Sequence, residues 1–294
     1  MSRSGVDTFP APSLLGVEEE ISTPQSALGR RRNGPAKWAR LLVPLVTLGL
    51  TLAAWEIIVR ACHVHPYILP GPITIIESLV ADWGLLSHAW EVTLEVTGLA
   101  LLAAVALGVC LALVMSLSPW FELMFFPYMI IMQVTPIIAI APLLILWVDN
   151  LTVGLVMCAW LVAFFPIVSN TMTGLKSADR HLEDLFKLYG ASRWQTLWQL
   201  RLPAAMPYFL AGLRISGGLS LIGAIAAEFV AGTGGQGSGL AFQVLQAGYQ
   251  MDMPRLFAAL FLISATGLTI NLVLTYVSYL ALRRWHETAL ERER

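Results

Sequence analysis

Six apolar runs, each long enough to cross a bilayer, dominate this sequence: Leu41–Ala61, Val92–Leu117, Phe121–Trp147, Leu151–Thr173, Ala204–Ala231 and Leu256–Leu282. A membrane-spanning helix needs about 20 predominantly apolar residues, and in lipid each backbone N–H and C=O has to find its partner within the chain. Runs of this length meet that demand as helices. The expected fold is all-α and polytopic, with about six transmembrane helices. Composition agrees, since 57% of the residues are hydrophobic and only 13% are charged, against about a quarter charged in soluble domains. A net charge of −1 supplies no basic field for nucleic acid, so none is expected as a partner.

The cations divide unevenly between the connecting segments. Of the 18 Lys and Arg, fifteen lie before the first run, between the fourth and fifth, or after the last. The opposite side holds Arg60 and Arg255, and Arg214 falls inside the fifth run. The positive-inside rule then puts both termini and the loop around residues 179–207 in the cytoplasm. Residues 1–38, with Glu18–Glu20, Arg30–Arg32 and few apolar side chains, are expected to be a disordered cytoplasmic tail. No cleavage site follows the first run, so it is read as a span rather than a signal peptide. The membrane domain is expected at 39–285, followed by a short cytoplasmic tail at 286–294.

The loop Asp179–Pro207 is the longest polar, charge-rich segment of the apolar two-thirds of the chain. Leu182, Leu185, Phe186, Leu188 and Tyr189 alternate at helical spacing with Asp179, Arg180, Glu183, Asp184 and Lys187. Asp179 suits an N-cap, Gly190 a helix break, and Ser192 the cap of a second helix, Arg193–Leu202, expected to stop at Pro203.

This spacing resembles the EAA loop of the permease subunits of ATP-binding-cassette (ABC) importers: an acid (Asp184), a glycine six positions on (Gly190) and a Leu-x-Leu-Pro ending (Leu200–Pro203) thirteen positions after that. The usual two alanines are replaced by Leu185 and Phe186. The turn Leu69-Pro70-Gly71-Pro72 and the run Gln133–Leu143 are similar to the nitrate/sulfonate/taurine branch of that family. The resemblance implies a type I importer (MetI-like) permease fold in the cell inner membrane. It also implies a coupling segment at 179–203, in which Glu183, Asp184, Leu185, Phe186, Gly190, Ala191, Leu202 and Pro203 meet an ATPase. The implied partners are a cytoplasmic ABC ATPase dimer, an extracytoplasmic solute-binding protein, a second permease copy and membrane lipid. ATP is expected on the partner, with no cofactor bound by this chain. The implied solute is nitrate, sulfonate or taurine-like, with a heterocycle such as a thiamine pyrimidine precursor as the alternative.

Pathway residues are sought where an apolar run is interrupted. Pro136 and Pro142 each remove a backbone donor from the third run, which is tolerated beside a cavity. Gln133 and Thr135 next to them, and Glu228 at the end of the fifth run, are the candidates to line a pathway or gate. For Glu228, a hydrogen-bonded structural role is favoured over direct contact with solute. Pro166 in the fourth run is read as a kink that would let its lower half move with the loop. Arg214 is the only cation that falls mid-run, and no built-in anion site is inferred from it.

Other motifs are excluded. His63 and His65 lack a third ligand, and Cys62, Cys110 and Cys158 are far apart, so no metal site is expected. The GxGxxG at Gly232–Gly237 follows a long apolar run rather than a strand of a βαβ unit, so it is not a dinucleotide fingerprint. There is no GxxxxGK[ST] and no nucleophile, base or paired-carboxylate cluster, so the chain is not expected to be an enzyme. A stand-alone secondary transporter or channel is the alternative class, and the absence of an internal repeat weighs against it.

Overall fold

The computed structural model describes residues 37–232 and 238–283. Residues 1–36 of the expected N-terminal tail, 233–237 of the glycine-rich loop and the expected tail at 286–294 lie outside the described residues. The chain divides into two units at Thr51, and the second, from Leu52 on, contains every helix except the first part of α1. In order the helices are α1 (Lys37–Ala61), α2 (Pro72–Ala81), α3 (Trp83–Leu117), α4 (Pro119–Val134), α5 (Ile137–Trp147) and α6 (Leu151–Lys176). After the polar loop come α7 (Arg180–Leu188), α8 (Arg193–Thr196), a π-helical turn (Leu197–Arg201), α9 (Leu202–Ala231), α10 (Leu240–Tyr249) and α11 (Met253–Arg283).

Five helical stretches are long and apolar enough to span a membrane: Leu42–Ala61, Trp83–Leu117, Leu151–Lys176, Arg193–Ala231 and Met253–Arg283. α4 and α5 are long and apolar enough for a sixth only when taken together, as a pair bent by 102° at the break between them. The sequence suggested a kinked single span there, and the structure breaks it in two. Thr135, preceding a proline, is driven out of the helical region to φ −70° and ψ 123°. Pro136 (ψ 112°) then starts a new direction. The Ile131 carbonyl keeps its helical partner, the Thr135 N–H at 3.1 Å, and the Thr135 hydroxyl adds a second hydrogen bond to it at 2.6 Å.

The α3, α6 and α9 helices form the centre, and small residues set their separation. A Cβ on Gly223 of α9 would lie 2.8 Å from the Ala159 Cα of α6, and one on Gly174 would lie 2.8 Å from the Ala205 Cα. Backbones this close gain dispersion and polar contacts that bulkier side chains would prevent, which is how helices associate in lipid. Ser216 uses the proximity, donating to the Ala163 carbonyl at 2.6 Å. Packed around this contact are Val96, Ala100, Leu155, Cys158, Ala159 and Ala224.

At the end away from the polar loop, α2, α10 and α11 pack on the start of α3 through Ile75, Leu86, Leu240, Ala258 and Leu262. The Arg255 guanidinium forks onto Asp82 at 2.9 and 3.3 Å, clamping α11 to the α2–α3 junction. Glu56 of α1 accepts from the Ile73 backbone N–H at the start of α2. α3 begins nine residues before the expected span because only Asp82 separates it from α2, and Leu86 and Ala89 are buried there.

Gly223→Val is expected to separate α6 from α9 and cost about 1–3 kcal/mol or more, as overpacking does in rigid cores. Gly98→Ala, whose Cβ meets nothing within 4 Å, is the matched control. Thermal unfolding in detergent should drop for the first variant alone.

Candidate functional site

The polar loop folds as a helical hairpin whose corners follow from its residues. Asp179 caps α7, accepting from the His181 N–H at 2.8 Å. α7 ends in a Schellman arrangement, with Gly190 N–H donating to the Lys187 carbonyl and Ala191 N–H to that of Phe186. That geometry requires the left-handed φ of +69° found at Gly190. Ser192 and Gln195 then form a reciprocal capping box at the start of α8. Pro203 does not stop this second helix. The Leu202 N–H reaches back five residues to the Leu197 carbonyl, and this widened π turn lets the helix continue through Pro203 into α9.

None of the residues in α7 is buried. Leu188 and Tyr189 are each 84% exposed, and Leu182 and Leu185 are also exposed. An amphipathic helix that leaves its apolar side uncovered presents a surface for another body. Beside it, Leu185, Phe186, Tyr189, Gly190, Ala191, Gln195 and Gln199 line an open hollow of about 380 Å³. On the other side of the hairpin a cavity of about 480 Å³ lies against the α3–α4 turn. The hairpin is braced by Arg201, which donates to Glu183 at 2.7 Å. Lys187 donates to Asp184 at 2.8 Å, and that hydrogen bond, with the ammonium charge, holds the Asp184 carboxyl below the usual carboxylate range. Glu183, Asp184, Leu185, Phe186, Gly190 and Ala191 therefore share one hairpin, while Leu202 and Pro203 stand beyond the π turn at its root.

The other sequence candidates divide between two places. Gln133 and Thr135 meet in a cavity of about 230 Å³ at the α4–α5 break, closed by Ile137, Ile140, Leu161, Val162, Pro166 and Leu219. Pro136 creates the break and Pro142 sits exposed within α5, both outside that lining. Pro166 lies within an unbroken α6, and its carbonyl accepts from the Asn170 amide at 2.8 Å.

Glu228 is elsewhere and 3% exposed. Its carboxylate accepts from the Thr93 hydroxyl at 2.8 Å and from the Ala241 N–H at 3.0 Å, and Thr93 accepts in turn from the Leu240 N–H at 2.9 Å. Two orphan amides of the α10 N-terminus are thus tied to α9 and α3. Thr93 escaped the sequence reading because 135 residues separate it from its partner and no local pattern marks it. The residues described contain no group of three or more His, Cys, Asp or Glu placed to hold a metal ion.

Comparison with known proteins draws these features together. The family model described as binding-protein-dependent transport system inner membrane component matches residues 104–287. The formylaminopyrimidine transport permease protein ThiX of Halalkalibacterium halodurans is 33% identical over 228 residues, covering 77% of this chain and 89% of that protein. The taurine transport system permease protein TauC of Escherichia coli is 29% identical over 247 residues, covering 82% and 88%. Among solved structures, an amino acid ABC transporter crystallised with histidines matches with a TM-score of 0.57 at 19% identity, over 70% of this chain and 97% of that one.

Glu228→Leu leaves the Thr93 hydroxyl and the Ala241 N–H buried without an acceptor, each costing about 1–3 kcal/mol. Hydrogen exchange should accelerate at the first turn of α10 and stay unchanged in α7. Equal protection of α10 in both proteins would contradict the clamp.

Proposed function

The chain belongs to the family of inner-membrane components of binding-protein-dependent transport systems, the permeases of ABC importers, and from that premise we propose that the α7–α8 hairpin is its coupling element. The observation that carries the proposal is an amphipathic helix with its apolar side uncovered, standing between two spans on a glycine-hinged, double-capped corner. In this reading Leu182, Leu185, Leu188 and Tyr189 enter a groove on a cytoplasmic ATPase, with Glu183 and Asp184 at its rim. Gly190 and Ala191 form the corner, and Leu202 and Pro203 link it to α9. The bulk of Leu185 and Phe186, where the family pattern has alanines, calls for a partner groove cut to match.

ATP is bound and hydrolysed by that separate subunit, and this chain supplies no ATPase site and no cofactor. Two copies of the permease, each with its own ATPase, enclose the pathway within the lipid. A solute-binding protein docks at the opposite end, near α2 and α10. Both termini and the hairpin face the cytoplasm, which the distribution of Lys and Arg supports. Closure of the ATPase dimer on ATP moves the hairpins and opens the pathway outward. The cavity with Gln133 and Thr135 borders that pathway, and Glu228 serves as a clamp on α10. The solute is a small sulfonate, nitrate or taurine-like compound. A heterocyclic pyrimidine is the second reading, favoured by the identity to a formylaminopyrimidine permease.

The test is solute uptake into proteoliposomes holding the permease, with and without its ATPase and binding protein. Uptake should require ATP and all components, and flux through the permease alone would overturn the proposal in favour of a secondary transporter or channel. Gly190→Pro cannot adopt φ +69°, and Asp184→Arg reverses a rim charge. Each is expected to abolish co-purification of the ATPase or to leave its hydrolysis uncoupled from uptake. Tyr189→Ala, which removes an exposed ring and no internal contact, should weaken ATPase binding about tenfold, in the range of an interface anchor, without lowering the melting temperature.

A further inference from the structure

The cavity of about 480 Å³ between the hairpin and the α3–α4 turn is left unassigned by the coupling role. Its volume falls in the ~300–1,000 Å³ range of small-ligand sites. Three cations line it, Lys187 from α7, Arg193 from α8 and Arg201 from the π turn, against a single acid, Glu183. Glu183 accepts one N–H of Arg201 at 2.7 Å, which leaves the rest of that guanidinium fork available. Lys187 is paired with Asp184, but the two side chains are 72% and 68% exposed, so the pair is weak and Lys187 is free to turn to a better partner. The Arg193 guanidinium has no partner among the described residues. The lining is net positive.

The cavity also stands at one edge of the apolar layer. Ser116 and Leu117 on one wall close the apolar stretch Trp83–Leu117, and Arg193, Thr196 and Leu197 on another open the stretch Arg193–Ala231. Trp194 and Trp198, next in sequence to Arg193 and Leu197, are exposed, and so is Trp120 beside the lining residue Pro119. Tryptophan at the ends of spans settles at the level of the lipid headgroups. Basic pockets between spans on the cytoplasmic side suit the phosphate of acidic lipids, and a guanidinium presents a planar fork of donors that matches two oxygens of one phosphate. The Ser116 and Thr196 hydroxyls already donate to the carbonyls of Leu113 and Ser192. Within the lining they serve as acceptors, which suits a hydroxyl on the headgroup rather than a bare phosphate.

We propose that this cavity binds the phosphodiester headgroup of an anionic lipid, of which phosphatidylglycerol is the simplest form, with Arg193 as the principal contact. Arg193 and the open part of the Arg201 fork hold the phosphate oxygens, Lys187 adds its charge, and the headgroup hydroxyls donate to Ser116 and Thr196. One headgroup there meets α3, α7, α8 and the π turn at once, so the lipid composition of the leaflet helps to set the hairpin against the membrane. This rests on the reading that puts the hairpin on the cytoplasmic side of a membrane and adds a lipid ligand to it. A soluble phosphate offers the same oxygens, and the test separates the two sources.

The test uses the full-length permease in neutral detergent, alone and in complex with its ATPase, with phosphatidylglycerol, phosphatidylcholine and inorganic phosphate as probes. Native mass spectrometry and thermal unfolding report binding. Phosphatidylglycerol should stay bound to both preparations and raise their melting temperature, while phosphatidylcholine and phosphate should do neither. Arg193→Gln should weaken phosphatidylglycerol binding about fivefold, the share of one cation at an anionic lipid, and Arg193→Lys should restore most of it. Without lipid, Arg193→Gln should melt like the wild type, since its guanidinium makes no internal contact. Arg180→Gln removes an exposed cation of α7 that lies outside the lining, and should bind phosphatidylglycerol as the wild type does. Undiminished binding by Arg193→Gln, an equal loss in Arg180→Gln, or an equal shift from phosphatidylcholine overturns the site. An equal shift from inorganic phosphate assigns the cavity to a soluble anion and overturns the lipid. Binding to the permease alone that vanishes in the complex gives the cavity to the ATPase and likewise overturns it. None of these readouts depends on uptake, so the importer reading stands or falls separately.

Discussion

Lipid offers no hydrogen bonds, and that constraint shapes nearly every feature of this molecule. Each backbone amide has to be satisfied inside the chain, so the spans are helices. Helices in lipid gain little from burying apolar side chains against one another, so their contacts rest on close backbone approach instead. Gly174 and Gly223 bring α6 and α9 to the separation at which Ser216 reaches a carbonyl on the neighbouring helix. Where a helix must break, the structure supplies a substitute partner. At the start of α10, Glu228 with Thr93 receives two free amides, and at the α4–α5 break the Thr135 hydroxyl adds a second bond to the Ile131 carbonyl.

The two ends of the bundle obey different rules. Away from the polar hairpin, Arg255 and Asp82 form a forked ion pair, each about three-quarters shielded from solvent, that ties three elements together. At the hairpin end the pairs are more open, as with Lys187 and Asp184, and contribute little to stability on their own. The hairpin is held by its backbone caps and by Arg201–Glu183, while its apolar side stays uncovered. One end is closed on itself by buried contacts, and the other leaves an apolar helix face uncovered.

Much of this was readable from residue order, for physical reasons. Span length and charge distribution act on long windows, so five of the crossings and the separate polar hairpin emerge from simple periodicity. The caps at Asp179, Gly190 and Ser192 are equally local, because each satisfies a backbone group within three residues or so. What escaped was of two kinds. Proline lowers the stability of a helix without dictating the outcome, and here Pro136 breaks one while Pro203 is absorbed by a π turn and Pro166 is carried within α6. The partner of Glu228 is distant in sequence, and only the packing of α3 against α9 brings Thr93 to it. The open hydrophobic side of α7 was visible as a pattern, but its exposure is a property of the fold.

The π turn has a mechanical consequence. Because it carries the helix through Pro203 without a break, Arg193–Ala231 is a single stretch of 39 residues, with the hairpin at one end and Glu228 three residues from the other. Such a rod is about 58 Å long at 1.5 Å per residue. It lies close against α6 at two levels, Ala205 on Gly174 near the hairpin and Gly223 on Ala159 towards the far end, about 27 Å apart along the axis. Two such contacts clamp the rod, so a push at the hairpin is shared by α9 and α6 as one body and reaches the first turn of α10 through Glu228.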